Sequence, residues 1–505
     1  MQPSLSERRS DPPGLAAARA RAAWWRRFAL DVRSLAAFRV GLGLVLVADA
    51  ALRTRDFNLM FAAEGIFPPA LIRRYLGDDP THWSLALLRD ESWWAAGILG
   101  LEAAAGVCLA AGWRTTAATI VAWVAQGSVF RRTMPAANAG DALLSCLLLW
   151  SCFLPLGAVW SVDARRQGGG TGGGRPATVC GVATTALVLQ VMAVYLGAGL
   201  AKWNPTWLGG EALRYALSVH DHGTPLGTWL AAADWLVPPL TWGVLGAELL
   251  GPLVFLAWPA SRPTIVPAFM LFHVVIWLTM SVGLFAPIGI VAWLPLLPGT
   301  LWGPPARPPT PPRIDCPSRA ARWVCVGAAT LMAVSFLHAL SPWRDRPLPV
   351  PVRQAIHACS LVQQWGMFGT VPPVEQWAYA RATLADGRVV DILRGGRAVQ
   401  VERPTGGFTS LPHHRWHKLL WILPHPKARI FAPSVAAALA REWNARHAGV
   451  DRVVTLELRF ARRDLARSES AVGDMLVGSW PERTAEGTGN LDRFLQAAPA
   501  AESGR

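Results

Sequence analysis

The chain has 505 residues, a length that fits two or three soluble domains. Composition argues against that: 52% of residues are hydrophobic and only 16% charged, against roughly 25% charged in an average soluble protein. With 26 Trp, 4 Tyr and 7 Cys, the balance excludes a disordered chain, a disulfide-stapled secreted module and a typical cytosolic enzyme. The formal charge of +15 invites a nucleic-acid reading, but Lys occurs only as Lys202, Lys418 and Lys427. The remaining cations are Arg clusters between apolar stretches, the pattern of the positive-inside rule, so no nucleic-acid partner is expected.

Residues 1–33 form a basic segment with Arg8, Arg9, Arg19, Arg21, Arg26, Arg27 and Arg33, and no small-residue cleavage site follows a short apolar core. Nine apolar runs come next, near 35–53, 94–112, 115–133, 141–160, 178–200, 236–258, 264–282, 285–302 and 322–341. Each suits about 30 Å of hydrocarbon. A cytoplasmic N-terminus puts Arg165, Arg166 and Arg175, and then Arg307, Arg313 and Arg319, in inside loops, with Arg114 and Arg262 in inside turns. The outside loop 54–93 offsets its Arg residues with Asp56, Glu64, Asp78, Asp79, Asp90 and Glu91. The Gly run 168–174 reads as a linker and not a phosphate loop, and the Pro-rich stretch 304–317 as a stiff connector.

Residues 342–467 have the composition of a small water-facing domain. Trp377–Leu384 and Val389–Leu393 alternate around Asp386-Gly387, a hairpin signal. Ser434 is placed to cap a helix that runs to His447, and Val450–Phe460 alternates as a strand. From 468 to 505 the chain is polar and aperiodic, which predicts disorder. The expected architecture is an all-α polytopic membrane bundle (about nine transmembrane helices, 34–341) with a small α+β extracytoplasmic C-terminal domain. A bacterial inner membrane is the expected location and membrane lipids are the expected partners.

Several polar groups fall inside the apolar runs. Arg39 and Asp49 share a face of the first, Glu102 lies in the second, Glu248 in the sixth and His273 in the seventh. Such groups either pair to hold helices together or face a wet cavity. The most informative segment runs from Tyr195 to Glu211: small residues lead into Lys202, then Trp203, a break at Pro205, and Trp207. A Lys held beside apolar rings is disfavoured as an ammonium and, once neutral, is a competent general base. The other reading is an interfacial Lys that snorkels, with Trp203 and Trp207 as an aromatic belt. His220-Asp221-His222 follows by one loop, at a cavity mouth or merely in a polar turn. His413 and His417 have the i, i+4 spacing of zinc ligands, but no carboxylate completes the set, and they read as a solvated or headgroup-facing patch with no metal. No nucleophile elbow, Rossmann fingerprint, Walker motif or His-Glu-x-x-His occurs.

Taken together, these motifs resemble the HTTM (horizontally transferred transmembrane) domain proteins and the vitamin K-dependent γ-carboxylases among them, over roughly residues 30–460. The resemblance rests on Phe38-Arg39 with Gly41 and Asp49, on Trp160-Ser161-Val162-Asp163, and on Ala198-Gly199-Leu200-Ala201-Lys202 with Trp207 and Gly210. It extends to Phe272-His273 with Met280–Phe285, and to Trp365-Gly366-Met367-Phe368 with Asp386-Gly387. The resemblance implies a base at Lys202 that deprotonates reduced vitamin K or another quinol. Oxygen and carbon dioxide would be co-substrates, an epoxide a product and a protein glutamate the acceptor. Departures at Ala158 and Ala201, and a shorter outer domain, bear on glutamate carboxylation more than on quinone handling. On this reading Lys202, His220 and His273 are catalytic, and Arg39, Asp49, Trp203, Trp207 and Glu248 shape the cofactor site. The alternatives are a non-catalytic lipid- or quinone-binding protein and a transporter component.

Overall fold

A computed structural model describes residues 23–24, 27–77, 79, 81–166, 178–219, 222–303, 318–404, 411, 413–465 and 472–482. The glycine linker, the Pro-rich connector, His220 and most of the basic N-terminal segment lie outside the described residues. The bundle helices are α1 (Val32–Thr54), α2 (Ser92–Ala111), α3 (Thr115–Arg132), α4 (Ala139–Ser151), α5 (Val182–Ala201), α6 (Val237–Ala257), α7 (Arg262–Thr279), α8 (Phe285–Trp293) and α9 (Arg319–Leu340). All nine predicted runs therefore contain helix, but only six segments are long and apolar enough to cross a bilayer: α1, α2, α5, α6, α7 with its preceding turn, and α9. The other three fall short. α3 carries Gln126, Arg131 and Arg132, α4 has 13 residues, and the helical segment containing α8, Phe285–Leu296, is also short. The six helices fit a multi-pass integral membrane protein.

Close crossings need small residues. Gly43 of α1 faces Gly106 of α2, and a Cβ on Gly106 would come within 2.9 Å of the Gly43 carbonyl. Gly112 ends α2 in the left-handed region (φ +69°), and a Cβ there would fall on the Arg39 guanidinium. The Asp163 carboxylate supplies the missing cap of α3. It accepts from the Arg114 amide at 2.8 Å and from the Thr115 amide and hydroxyl at 2.7 Å each. The Ser161 hydroxyl donates to the Gly157 carbonyl at 2.7 Å and accepts from the Ala164 amide at 2.9 Å. The Trp-Ser-Val-Asp run thus closes the turn between α2 and α3 from a distance.

After α9 come α10 (Val350–Ala358), β3 (Val374–Leu384), β4 (Val389–Asp391), β5 (Arg397–Ala398), α11 (His414–Ile422), α12 (Ala432–Arg446), β6 (Val453–Asp464) and β7 (Gly473–Trp480). β1 (Leu30–Asp31) and β2 (Thr178–Val179) form a separate two-stranded ribbon beside the bundle. The five C-terminal strands pair antiparallel in the order β5-β4-β3-β6-β7, and α12 packs on β6 and β7. The hairpin predicted at Asp386-Gly387 is present, with Thr383 opposite Val389 and Gly387 at φ +86°. Two expectations fail. Ser434 does not cap α12, which begins at Ala432 behind an uncapped turn. The disorder expected from 468 onward is broken by β7: Met475 and Val477 point inward, Leu476 outward, and the short alternation is finished by pairing with β6. One apolar core joins this domain to the bundle, with Phe61, Ile66 and Leu99 alongside Trp416, Leu420 and Phe431.

Between α9 and the sheet, α10 docks on the bundle. The Arg131 guanidinium donates to the His357 carbonyl at 2.7 Å and the Ser360 hydroxyl at 2.9 Å. His357 Nδ1 and His82 Nε2 lie 2.6 Å apart, so one imidazole donates and the other accepts. Burial pushes His82 down and, with His82 adjacent, pushes His357 down to about 4 from an ordinary 6.5. An imidazole that is harder to protonate when folded costs stability once the unfolded chain begins to take up protons. The contribution of this pair is therefore complete above pH 6.5 and is lost as pH falls toward about 4. Thermal melts of the detergent-solubilised protein are expected to decline over that interval, and the decline is expected to be shallower in His357→Gln.

Candidate functional site

Helix α5 stops at Ala201 because the chain turns into Asn204-Pro205. Lys202 occupies the cap position and is 2% exposed. Its Nζ lies 2.8 Å from Glu248 Oε2 on α6, donates to the Met367 carbonyl at 2.8 Å, and stands 5.1 Å from the Trp207 ring centroid. The snorkelling reading is overturned, because the amine points inward. The picture of a solitary amine changes too, since a buried carboxylate accompanies it. Glu248 is eleven residues below the start of α6, roughly 16 Å along the axis. The pair therefore sits about halfway down that helix.

The loop 363–369 forms a lid of carbonyls over the pair. Beside the Met367 contact, the Trp207 indole donates to the Phe368 carbonyl at 2.8 Å and the Asn204 amide to the Gly369 carbonyl at 2.8 Å. The loop is anchored by a buried amide pair. Gln190 donates to the Gln363 side chain at 2.7 Å, Gln363 donates back at 3.1 Å, and the Trp365 indole donates to Gln363 at 2.7 Å. Such a network fixes the loop because each lost partner would strand a polar group in an apolar surround.

Seven residues before Lys202, two turns along the same face, the Tyr195 hydroxyl accepts from the Trp293 indole at 2.6 Å and meets His273 Nε2 at 2.6 Å. Glu248 is the charged neighbour of this hydroxyl. Trp293 can only donate, and in the Tyr195–His273 contact one group donates and the other accepts. The His273 ring lies against Gly289, where a Cβ would overlap it. Lys202 thus touches both Glu248 and Trp207, and the Tyr195–His273 contact lies on the same helix face with Glu248 as its charged neighbour. In the sequence, the one signal for Tyr195 is its spacing of seven from Lys202.

The other predicted site residues lie elsewhere. Trp203 is 63% exposed and turned away from the pair. Arg39 is fully buried and donates to the Leu109, Ala110 and Trp160 carbonyls at 2.7, 2.8 and 2.7 Å, serving the open C-terminal end of α2. Asp49 belongs to a second charged cluster. Its carboxylate accepts from Arg53 at 2.7 Å and from Arg415 at 2.7 Å, while Asp141 accepts from Arg53 at 3.0 Å and from Arg415 at 2.9 and 3.2 Å. Arg415 comes from α11 of the C-terminal domain, between the two histidines considered as ligands. His413 is bonded to Asp56 at 2.6 Å, His414 is packed on Gly283, and His417 stacks on Trp421. Burial beside Arg415 pushes His414 down to about 3. The solvated patch expected here is instead half-buried in the domain junction. Asp49 and Arg53 are i, i+4, a signal available in the sequence; nothing local marks Arg415 as their partner.

Removing one member of a buried ion-pair set strands the others. Arg415→Met is expected to lower unfolding stability by about 3–5 kcal/mol. Equilibrium denaturation monitored by the tryptophans of the C-terminal domain measures this. The exposed Arg441→Met should change little.

A family model described as the HTTM domain matches residues 28–302, more than half of the chain. Comparison with curated proteins found no match, and comparison with solved structures found none. The match spans α1 to α8, including the Lys202–Glu248 pair, the Tyr195–His273 contact and the Asp163 cap, and so the chain belongs to the HTTM domain family.

Proposed function

We propose that this HTTM protein is a membrane enzyme that removes a proton from a lipid-soluble reduced quinone, with Lys202 as general base. The observation that carries the reading is the buried Lys202–Glu248 contact at a broken helix end, beside backbone carbonyls of the loop 367–369. Discontinuous helices at membrane depth belong where protein lines a site, since exposed backbone is not tolerated in lipid. The donor set suits a quinol: aromatic and apolar walls, one amine, one carboxylate and a phenol–imidazole pair.

A bound quinol would supply the acidic hydroxyl and, with oxygen, the oxidising chemistry. The chain's own residues handle the proton. In this reading Lys202 and Glu248 share one proton as a neutral pair, and the proton rests on Glu248 as the acid when the amine accepts. Taking up a second proton gives ammonium and acid together, a net positive charge opposite the new anion. The Met367 carbonyl and Trp207 ring hold the amine in place for this step, because both favour its cationic form. Tyr195 and His273 orient the polar wall beside Glu248. Trp203, exposed next to Lys202, faces the lipid side. In this reading the C-terminal domain is extracytoplasmic and its loop 363–369 excludes water from the pair. Carboxylation of a protein glutamate is a further step that the reading does not require.

Purified protein in nanodiscs is expected to convert a reduced quinone to its epoxide in the presence of oxygen. Lys202→Ala should lower the rate about 10²–10⁴-fold with folding intact, as loss of a general base does. Glu248→Gln should shift the pH dependence of the rate and not merely scale it. Binding of the quinone by the wild type with no turnover would replace the enzyme by a lipid- or quinone-binding protein; solute flux in liposomes would make it a transporter component.

A further inference from the structure

Glu102 lies on α2, one turn before the Gly106–Gly43 crossing, and faces α1 at the level of Asp49 and Arg53. It is 0% exposed, and among the described residues it is the one acid with both carboxyl oxygens buried and without a hydrogen-bond partner. Its charged neighbours are Asp49 and Arg53 of α1, Asp141 of α4 and Arg415 of α11. Those four satisfy one another. Arg53 is spent on Asp49, Asp141 and the Thr133 hydroxyl, and Arg415 on Asp49 and Asp141. Two guanidiniums balance two carboxylates, so an ionised Glu102 would be an uncompensated third anion with no donor.

We propose that Glu102 is a proton-binding site, a neutral carboxylic acid held inside the bundle, and that its proton keeps Arg415 docked on Asp49 and Asp141. Without that proton a third carboxylate competes for the two guanidiniums, one of which is the tie to the C-terminal domain. Proton occupancy and docking of the domain are therefore linked. The site is separate from the Lys202–Glu248 pair and does not depend on the reaction assigned to it.

Infrared spectroscopy of the full chain in nanodiscs at neutral pH tests this. The wild type should show the carbonyl stretch of a neutral carboxylic acid, shifted down in heavy water. Glu102→Gln should lose that band, Glu102→Asp should keep it at a moved position, and Glu248→Gln should leave it in place. The melting temperature of Glu102→Gln should match or exceed that of the wild type, because a neutral amide replaces a neutral acid. Absence of the band in the wild type, its survival in Glu102→Gln, or a lowered melting temperature in that variant overturns the proposal. So does a carboxylate band that responds to sodium or potassium, which would mean a bound metal cation in place of the proton. If Glu102→Gln does not fold, the wild-type spectrum and the Glu102→Asp shift decide the matter.

Discussion

A charge taken out of water must bring its counter-charge or a ring of dipoles with it, and this one constraint arranges the interior. Three solutions are in use. Arg39 and Arg132 are surrounded by carbonyls: Arg39 serves the end of α2, and Arg132 the Phe61 and Phe67 carbonyls of the loop after α1. Arg53, Arg415, Asp49 and Asp141 neutralise one another. Lys202 takes one carboxylate, one carbonyl and the face of an indole. In the first two solutions each guanidinium meets two or more oxygens. The third sets one amine against a single carboxylate.

Two of the polar contacts by which the C-terminal domain reaches the bundle differ in kind. Arg415 enters as a side chain from a helix and completes a set of ion pairs. The loop 363–369 enters as backbone and offers carbonyls to Lys202, Asn204 and Trp207. The Gln190–Gln363 amide pair locks the loop onto α5, the helix that ends at Lys202. The position of the amine is thus set as much by residues after the bundle as by those within it. The match to the HTTM model ends at residue 302, before either contact.

Hydropathy made the helices legible, and alternation around Asp386-Gly387 made the hairpin legible, since both depend on neighbours in sequence. Lys202 stood out through its rarity and the Pro break after it. The partners of the charges were another matter. Glu248 lies 46 residues from Lys202, and Asp49 lies 366 from Arg415. No periodicity reports on such distances. Arg39 and Asp49 share one helix face and looked like parts of one site, but each is claimed by a different set of partners. β7 escaped notice because two inward residues are too short an alternation to read; the strand exists through its ladder with β6.

The Asp163 cap bears on the order in which the protein comes off the ribosome. The amide donors at the start of α3 are made 48 residues before the carboxylate that closes them. Helices α2 and α3 can form while this turn is still open, its amides held by water. The turn is closed only once the segment after α4 has been made and packs back on it, and the same segment supplies the Trp160 carbonyl to Arg39. A nascent chain that ends before residue 163 therefore carries an α3 without its cap.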